Sequence, residues 1–445
     1  MKSSEDHSDY YYTTIKTLKQ IKMKKIATLL ASIFLSISLT QAQEVTSEIA
    51  KELVPAVKIG DNIHAKFGGF VRAEYYIDSR EIVGAVDDLF GFFPENERLD
   101  ANGKDLNAVV RQNLSTQATR FNALLTGADI FNAKSSAFFE YDFSGGGTVN
   151  LRLRHAWVKL NWEKAEVLFG KTWNPLAETS FPSVAGLHTG IPFRPFGRGD
   201  QLRFTYKPTK ELSVLFAGVY QTEHKSILEP SATADIRANP IPELHLQFHY
   251  KTPGFSAGIL SEYKIVRPAT QTIGTAGTFK TTETISSYAL GAYADYKKDL
   301  FGMKGSIIYG QNLSELFQQG GYAVRSQNEE TGARTYAPSN SVSYWLNVTY
   351  GKTWQAGLFA GYQQNLGFCY NPLVGGAFFG RWQEVGHVYR IAPSLKYSFQ
   401  QWTFHAELDY DVAAYGTVDY LDKGKVKDAK EISGIRGVFA TTFFF

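Results

Sequence analysis

The sequence predicts an all-β fold: a transmembrane antiparallel β-barrel of about sixteen strands, with one loop folded inward as a constriction. Three observations predict it. Apolar and polar residues alternate with a period of two, along segments longer than the five or six residues usual in soluble strands. Short and long connections between these segments take turns. Beyond residue 42 no run approaches the roughly 18 apolar residues that a membrane-crossing helix needs. Composition agrees, with 32 Phe, 25 Tyr and 39 Gly against 3 Met and 1 Cys in 445 residues. That aromatic, glycine-rich balance favours strands and turns.

Lys22, Lys24 and Lys25 precede "IATLLASIFLSISL" (26–39), the length of a signal-peptide apolar core and too short to span a bilayer. Thr40 and Ala42 place small residues at both cleavage-determining positions. Residues 1–42 are therefore read as an N-terminal extension and a cleavable export signal; an uncleaved anchor is the alternative. The polar stretch before Met23 has no part in such a signal and reads as an upstream start. Residues 43–62 form a short periplasmic segment with at most one short helix, carrying Ile49, Leu53 and Ala56 on one face.

The barrel is assigned to 63–445, with strands near 64–77, 114–127, 134–144, 151–162, 165–173, 200–207, 211–223, 243–252, 255–267, 284–297, 303–313, 341–352, 354–366, 387–399, 401–415 and 431–445. In "QWTFHAELDYDV" (401–412), Trp402, Phe404, Ala406, Leu408 and Tyr410 share one face and His405, Glu407, Asp409 and Asp411 the other. In "ELHLQFHYK" (243–251), Leu244, Leu246, Phe248 and Tyr250 oppose His245, Gln247, His249 and Lys251. An outer face against hydrocarbon must be apolar and a lumen against water can be polar, so this alternation serves both. Tyr75, Trp162, Tyr206, Tyr250, Trp354, Tyr362 and Trp402 fall near strand ends, where an aromatic girdle belongs. About sixteen strands enclose an aqueous channel rather than a packed core.

Seven tight turns, such as "KTPGF" (251–255) and "GKTW" (351–354), alternate with long loops near 78–113, 174–199, 224–242, 268–283, 314–340, 367–386 and 416–430. That asymmetry suits periplasmic turns and extracellular loops. Only "SGGGTVN" (144–150) is short where a long loop is due. The chain ends "ISGIRGVFATTFFF": Ile435, Gly437, Phe439, Thr441, Phe443 and Phe445 share one face and Arg436 takes the other. This last strand should pair with the first and remove the free edge. Its terminal Phe resembles the signal read by the outer-membrane assembly machinery.

The candidate site is the connection after the fifth strand, "NPLAETSFPSVAGLHTGIPFRPFGRGDQ" (174–201), which joins strands five and six. Four prolines stiffen it, as a constriction (174–200) requires. It carries Arg194 and Arg198, and Arg203 follows. By parity the wall adds Arg72, Arg120, Arg390, Lys396 and Arg436, opposed by Glu74, Glu140, Asp142, Glu262, Glu407, Asp409 and Asp411. Guanidinium stays charged and can grip carboxylate or phosphate at two points. In a narrow aqueous gap between low-dielectric walls its field is focused. The functional reading is a cationic eyelet favouring anions; the plainer reading is that these charges only solvate the lumen. "LRLRHAWVKLNW" (151–162) resists a single parity. Either Arg152 and Arg154 face the lumen with Leu151, Leu153 and Trp157 outside, which we favour, or this wall is buried against another subunit or the inward loop.

Several classes are excluded or unsupported. A net charge of +3 gives no bulk argument for nucleic acid. A lone Cys369 excludes internal disulfides and multi-cysteine metal cages. His245 and His249, four residues apart on a strand, stand roughly 13 Å apart and cannot share one ion. GxSxG, HExxH and phosphate-cradling glycine loops are absent. No enzyme activity, cofactor or metal is expected.

"LRLRHAWVKL" (151–160), "VLFGKTWNPL" (167–176) and "FGRGDQLRFTY" (196–206) resemble the DcaP-like trimeric outer-membrane porins, and "RFNALLTGADI" followed by "AFFEYDF" (137–143) fits the same order. In sixteen-stranded porins the loop between strands five and six folds inward. The resemblance implies a homotrimer that admits small, often negatively charged solutes such as dicarboxylates, with Arg152, Arg154, Arg198 and Arg203 at the pore. Its partners would be those solutes, membrane lipid and lipopolysaccharide, and the assembly machinery. Some members carry a long N-terminal coiled coil, which 43–60 is too short to supply. Two other readings remain at this point: an adhesin or receptor using the loops 78–113 and 314–340, and an outer-membrane hydrolase.

Overall fold

The computed structural model describes residues 56–59, 62–145, 150–187, 189–230 and 235–445. The export signal and the helix expected around Ile49 and Leu53 lie outside these residues. Sixteen strands form the wall: β1 Ile63–Asp78, β2 Arg120–Thr126, β3 Lys134–Asp142, β4 Arg152–Asn161, β5 Ala165–Trp173, β6 Arg198–Tyr206, β7 Leu212–Tyr220 and β8 Glu243–Thr252. They continue as β9 Phe255–Val266, β10 Ile285–Lys298, β11 Phe301–Gln311, β12 Arg334–Gly351, β13 Trp354–Phe368, β14 Val385–Phe399, β15 Trp402–Asp419 and β16 Lys425–Phe444. Each pairs antiparallel with its chain neighbours. β16 returns to β1 in the register Phe70↔Phe444 to Asp78↔Arg436, so the sheet closes as the alternating C-terminus predicts. Val57–Ile59 is a short strand on β1, paired Val57↔Ala65 to Ile59↔Ile63, where a helix end was expected.

Two wall features differ from the predicted spans. β2 is the lower half of an interrupted strand; Arg111–Ser115 pairs with the upper part of β1. Thr119 in the gap accepts a bond from the Arg72 amide at 3.1 Å. The long loop expected over 416–430 is mostly wall, because β15 runs to Asp419 and β16 begins at Lys425. Both faces of Lys427–Lys430 are exposed, so the ladder here rises past the apolar band and the sequence has no alternation to reveal it.

The two faces are as alternation requires. Along β9, Ile259 is 65% exposed while Leu260, Glu262 and Lys264 are buried. Phe216 and Leu246 point outward in register with each other. An arginine on such a lipid face costs about 2–4 kcal/mol at mid-depth. Ile259→Arg should therefore lower unfolding stability in liposomes by about that amount, while Ser256→Arg, at a half-buried inward position of the same strand, should cost far less; denaturant titration in lipid measures both, and equal costs would contradict the facing.

Tight turns close the other end. β10 and β11 are parted only by Asp299 and Leu300, and β14 and β15 only by Gln400 and Gln401. Asp299 and Gln400 take left-handed φ angles of 51°, as two-residue hairpins demand.

At the loop end the lumen is packed by further elements as well, beyond the expected aqueous channel narrowed by the 174–200 loop. The hairpin Ile82–Ala85 and Phe90–Pro94 turns inward, with Phe90–Pro94 buried and Ile82–Ala85 partly exposed. Phe90 meets Phe196 with ring centroids 5.2 Å apart, Phe92 meets Trp382 at 5.1 Å, and Phe93 meets Trp382 at 4.9 Å. Arg390 donates to the carbonyls of Gly91 (3.0 Å) and Phe92 (3.2 Å), and Arg436 to that of Asp88 (2.6 Å). A Cβ at Gly91 would stand 2.3 Å from the Arg436 guanidinium, which would have to shift to admit one. Gly320–Gln327 also folds against β12 and Phe378–Arg381, with Tyr322 to Val324 buried. Within loops 78–113 and 314–340, Phe90–Pro94 and residues 320–324 are internal, while 96–110 and 325–330 are mostly exposed and remain for an adhesin to use.

Candidate functional site

The connection after β5 crosses the lumen. Asn174 caps its first turn, Pro175–Glu178, by accepting from the Leu176 amide at 3.0 Å. Arg203 on β6 fixes that turn through Glu178 (2.5 Å) and the Trp173 carbonyl (3.1 Å). Further on, the Ser183 amide reaches Asn347 on β12 (2.8 Å), Ser180 reaches Asp295 on β10 (2.5 Å), and the Ala185 amide reaches Glu407 on β15 (3.0 Å). The Leu187 amide bonds Glu74 on β1 at 3.2 Å, and Arg72 grips the Ala185 carbonyl. Phe193 lies directly on the wall: a Cβ at Gly361 would stand 2.3 Å from its ring. Tethered to β1, β10, β12 and β15, the loop is the inward-folded element predicted between strands five and six.

Cations gather where it leaves the wall. Glu140 pairs with His155 but Tyr141 pairs with Leu153, so Arg154 is an extra residue, a β-bulge. The bulge resolves the parity conflict. Before it, Arg152 faces inward and Leu153 outward; after it, His155 faces inward and Val158 is 56% exposed. Trp157 shares the inward side with His155 and stacks on Phe138, 5.5 Å away, against the expectation that it faces outward. No single period could have shown this.

Seven ion pairs link the cluster. Arg154 holds Glu140 (2.7 Å) and Asp142 (3.0 Å), and Arg152 holds Asp142 (2.7 Å) and Glu223 (3.5 Å). Lys171 and Arg198 also hold Glu223, at 2.8 and 2.9 Å, and Arg120 stands 4.0 Å from Glu140. Glu140 and Asp142 thus partner the arginines instead of opposing them from across the lumen. Burial alone would push the Glu223 carboxyl up, but Arg198, His224 and Lys171 hold it well below the usual carboxylate range. Five cations meet three carboxylates, and the buried Nε and Nη1 of Arg198 and Nε of Arg120 have no acceptor among the described residues. Trp173 lies under Arg198 (4.9 Å) and Arg154 (5.7 Å), holding both planes. Sequence reading missed Lys171, whose strand parity points elsewhere, and Glu223, which lies beyond the end of β7.

The facing wall has the opposite balance. Arg72 pairs with Glu74 (2.9 Å), Arg436 with Asp78 (3.5 Å), and Arg390 with Asp411 (2.6 Å) and Asp409 (3.9 Å); Glu407 adds a fifth acid. Arg390 and Arg436 also carry the inserted hairpin and Arg72 the Ala185 carbonyl, while Nε and Nη1 of Arg436 have no hydrogen-bond partner among the described residues. Arg194 is only 1% exposed, packed over Phe181 (4.1 Å) and bonded to Thr189 (2.9 Å) and the Ala177 carbonyl. It fastens the loop to itself rather than facing the lumen, a correction to its expected place in the eyelet. Lys396 faces the lumen toward the turn end, and among the described residues no carboxylate pairs with it.

A closed sixteen-strand barrel with a loop drawn inward after its fifth strand is the fold of the outer-membrane porins. Among solved structures, the outer membrane channel DcaP of Acinetobacter baumannii superposes with a TM-score of 0.65 over 88% of this chain and 99% of that one, at 16% identity. OmpT of Vibrio cholerae, an outer membrane protein, gives 0.53 over 88% and 99% at 9% identity. The anion-selective porin from Comamonas acidovorans gives 0.50 over 86% and 100% at 11% identity. No family model and no curated protein matches the chain.

Proposed function

We propose that this chain is an outer-membrane porin, a passive diffusion channel for small hydrophilic solutes that favours anions, dicarboxylates among them. It would be exported by its N-terminal signal, inserted by the assembly machinery among lipid and lipopolysaccharide, and work as a homotrimer without cofactor. The observation that carries the anionic preference is the two-charge cationic excess at the root of the inward loop. The net positive field of this cluster, focused between low-dielectric walls, would attract a passing anion without direct contact with the buried donors. Two proteins of the same fold, described as an outer membrane channel and an anion-selective porin, make the reading consistent.

The test is the reversal potential of the native protein in planar bilayers across a potassium chloride gradient. It should fall on the chloride side, and more so at low salt, where screening is weak. A potential at zero or on the potassium side would reject the preference while leaving the channel itself intact.

A further inference from the structure

Between the inward loop and the tight turns, the lumen wall holds a second set of cations. Inward positions of β10, β11 and β14 carry Lys297, Lys304 and Lys396 there. Among the described residues, Asp295 is the single carboxylate on the inward face of this turn-side half of β10 to β14. It stands opposite Lys304 in the ladder and accepts from Ser180 of the loop at 2.5 Å. Three ammoniums thus meet one acid.

The three lysines are gathered rather than dispersed. Asp295 pairs with Lys304 and Lys297 with Gly302, so Lys297 and Lys304 are diagonal neighbours, about 7–8 Å apart along the sheet. The charged side chains acting on Lys396 are Lys304 and Lys297, with no carboxylate among them. Lys304 donates to the Phe181 carbonyl of the loop at 3.2 Å. Lys396 is half-buried, with Gln355 and His405 as its ladder partners.

The surroundings leave these ammoniums room. Gly302 and Ser306 flank Lys304 on its face of β11, and Ser394 and Ser398 flank Lys396 on its face of β14. The inward loop roofs the same stretch of wall, where Ser183 reaches Asn347 (2.8 Å) and Gln355 (3.3 Å). Like charges brought this close repel, and the wall offsets only one of the three. A bound monoanion would leave the group cationic even after Asp295 is counted, whereas two negative charges balance it. An ammonium is a compact charge that holds oxyanions without the fork geometry of guanidinium.

We propose that Lys297, Lys304 and Lys396 form a second anion station, on the turn side of the inward loop, for small oxyanions carrying two or more negative charges. It is separate from the guanidinium cluster at the loop root, whose cations belong to β2, β4, β5 and β6. An anion that has passed the loop root meets ammoniums next, so a multivalent one is held again before it reaches the turn-side mouth. The inference rests on the lumen being a water-filled path, and not on chloride preference.

The test is calorimetric titration of pyrophosphate into the tag-free, folded protein in detergent at low salt. Native protein should bind it, and K304Q/K396Q should bind about ten-fold more weakly or worse. R120Q/R198Q, altered only at the loop root, should stay within about two-fold of the native affinity. Acetate should compete at least about ten-fold less well than pyrophosphate. Absence of binding to the native protein, or unchanged binding by K304Q/K396Q, would overturn the station. So would an equal loss in R120Q/R198Q, which would place the anion at the loop root, and equal competition by acetate, which would remove the need for two charges. The reversal potential is a separate measurement, so failure of this station and failure of the chloride preference are told apart.

Discussion

Neutralising Arg120 and Arg198 together, as R120Q/R198Q, is expected to abolish chloride preference in bilayer recordings. These two side chains hold the cluster's unpaired donors. At about 7 Å, a unit charge acts on a passing anion with roughly 0.6 kcal/mol in water and about 2.4 kcal/mol at an effective dielectric of 20. Taking about 1 kcal/mol per charge, each removal changes anion permeability about five-fold. The double variant leaves Glu223 paired to Lys171 and Arg152, so no carboxylate is orphaned and the barrel should fold. Arg194→Gln is the contrast: it removes a charge that lies within the loop and should weaken the constriction's packing without moving the reversal potential. If R194Q shifts selectivity as much as R120Q/R198Q, the cluster at the loop root is not the filter.

Deleting the hairpin 82–94 and bridging the gap with Gly-Ser should raise single-channel conductance by about two-fold or more, since conduction is set by the narrowest part of the path. The hairpin places Phe90, Phe92 and Phe93 against Phe196, Phe317 and Trp382 across the loop end of the lumen. Its loss forfeits about 1.5–3 kcal/mol of burial per phenylalanine, but the sixteen-strand ladder does not run through it. It also frees Arg390 and Arg436 from the carbonyls of Gly91, Phe92 and Asp88, so anion preference should rise with conductance. Unchanged conductance would place the hairpin off the ion path. A loss of binding to a cell surface with conductance unaltered would favour the adhesin reading instead.

Much of the wall was legible because a membrane barrel imposes one rule at every step: apolar out, polar in. Trp402 to Tyr410 and Leu244 to Tyr250 obey it without exception, and the alternating C-terminus announced closure onto β1. The rule fails wherever its cause is absent. Past the apolar band, between Asp419 and Glu431, both faces meet water and the continuing strands read as loop. At Arg154 one additional residue reverses the parity, and a period of two cannot register a bulge that only the partner strand defines.

The charged site was half legible. Parity found Arg120, because facing inward is a local property of a strand, but it could not place Arg152 and Arg154, whose strand follows no single parity. It could not tell which acid meets which base. Glu140 and Asp142 became partners of the arginines rather than their opponents through the pairing of β3 with β4 and the bulge between them. Nor could it foresee that "LFGFFPEN" leaves its loop to pack inside, since a run of buried aromatics in a long connection looks the same whether it covers a surface or fills a lumen.

The sequence by itself determined the barrel, its strand number, its apolar exterior and the loop that turns inward, because each follows from the nearest few residues and the solvent they face. Only the tertiary structure decided that the loop end is packed, that Arg194 is a fastener, and that positive and negative excesses gather on different walls. Those outcomes depend on contacts that closure of the sheet and the path of the loops choose, from Arg194 on Ala177 within one loop to Arg390 on Gly91 and Phe92 from a distant one.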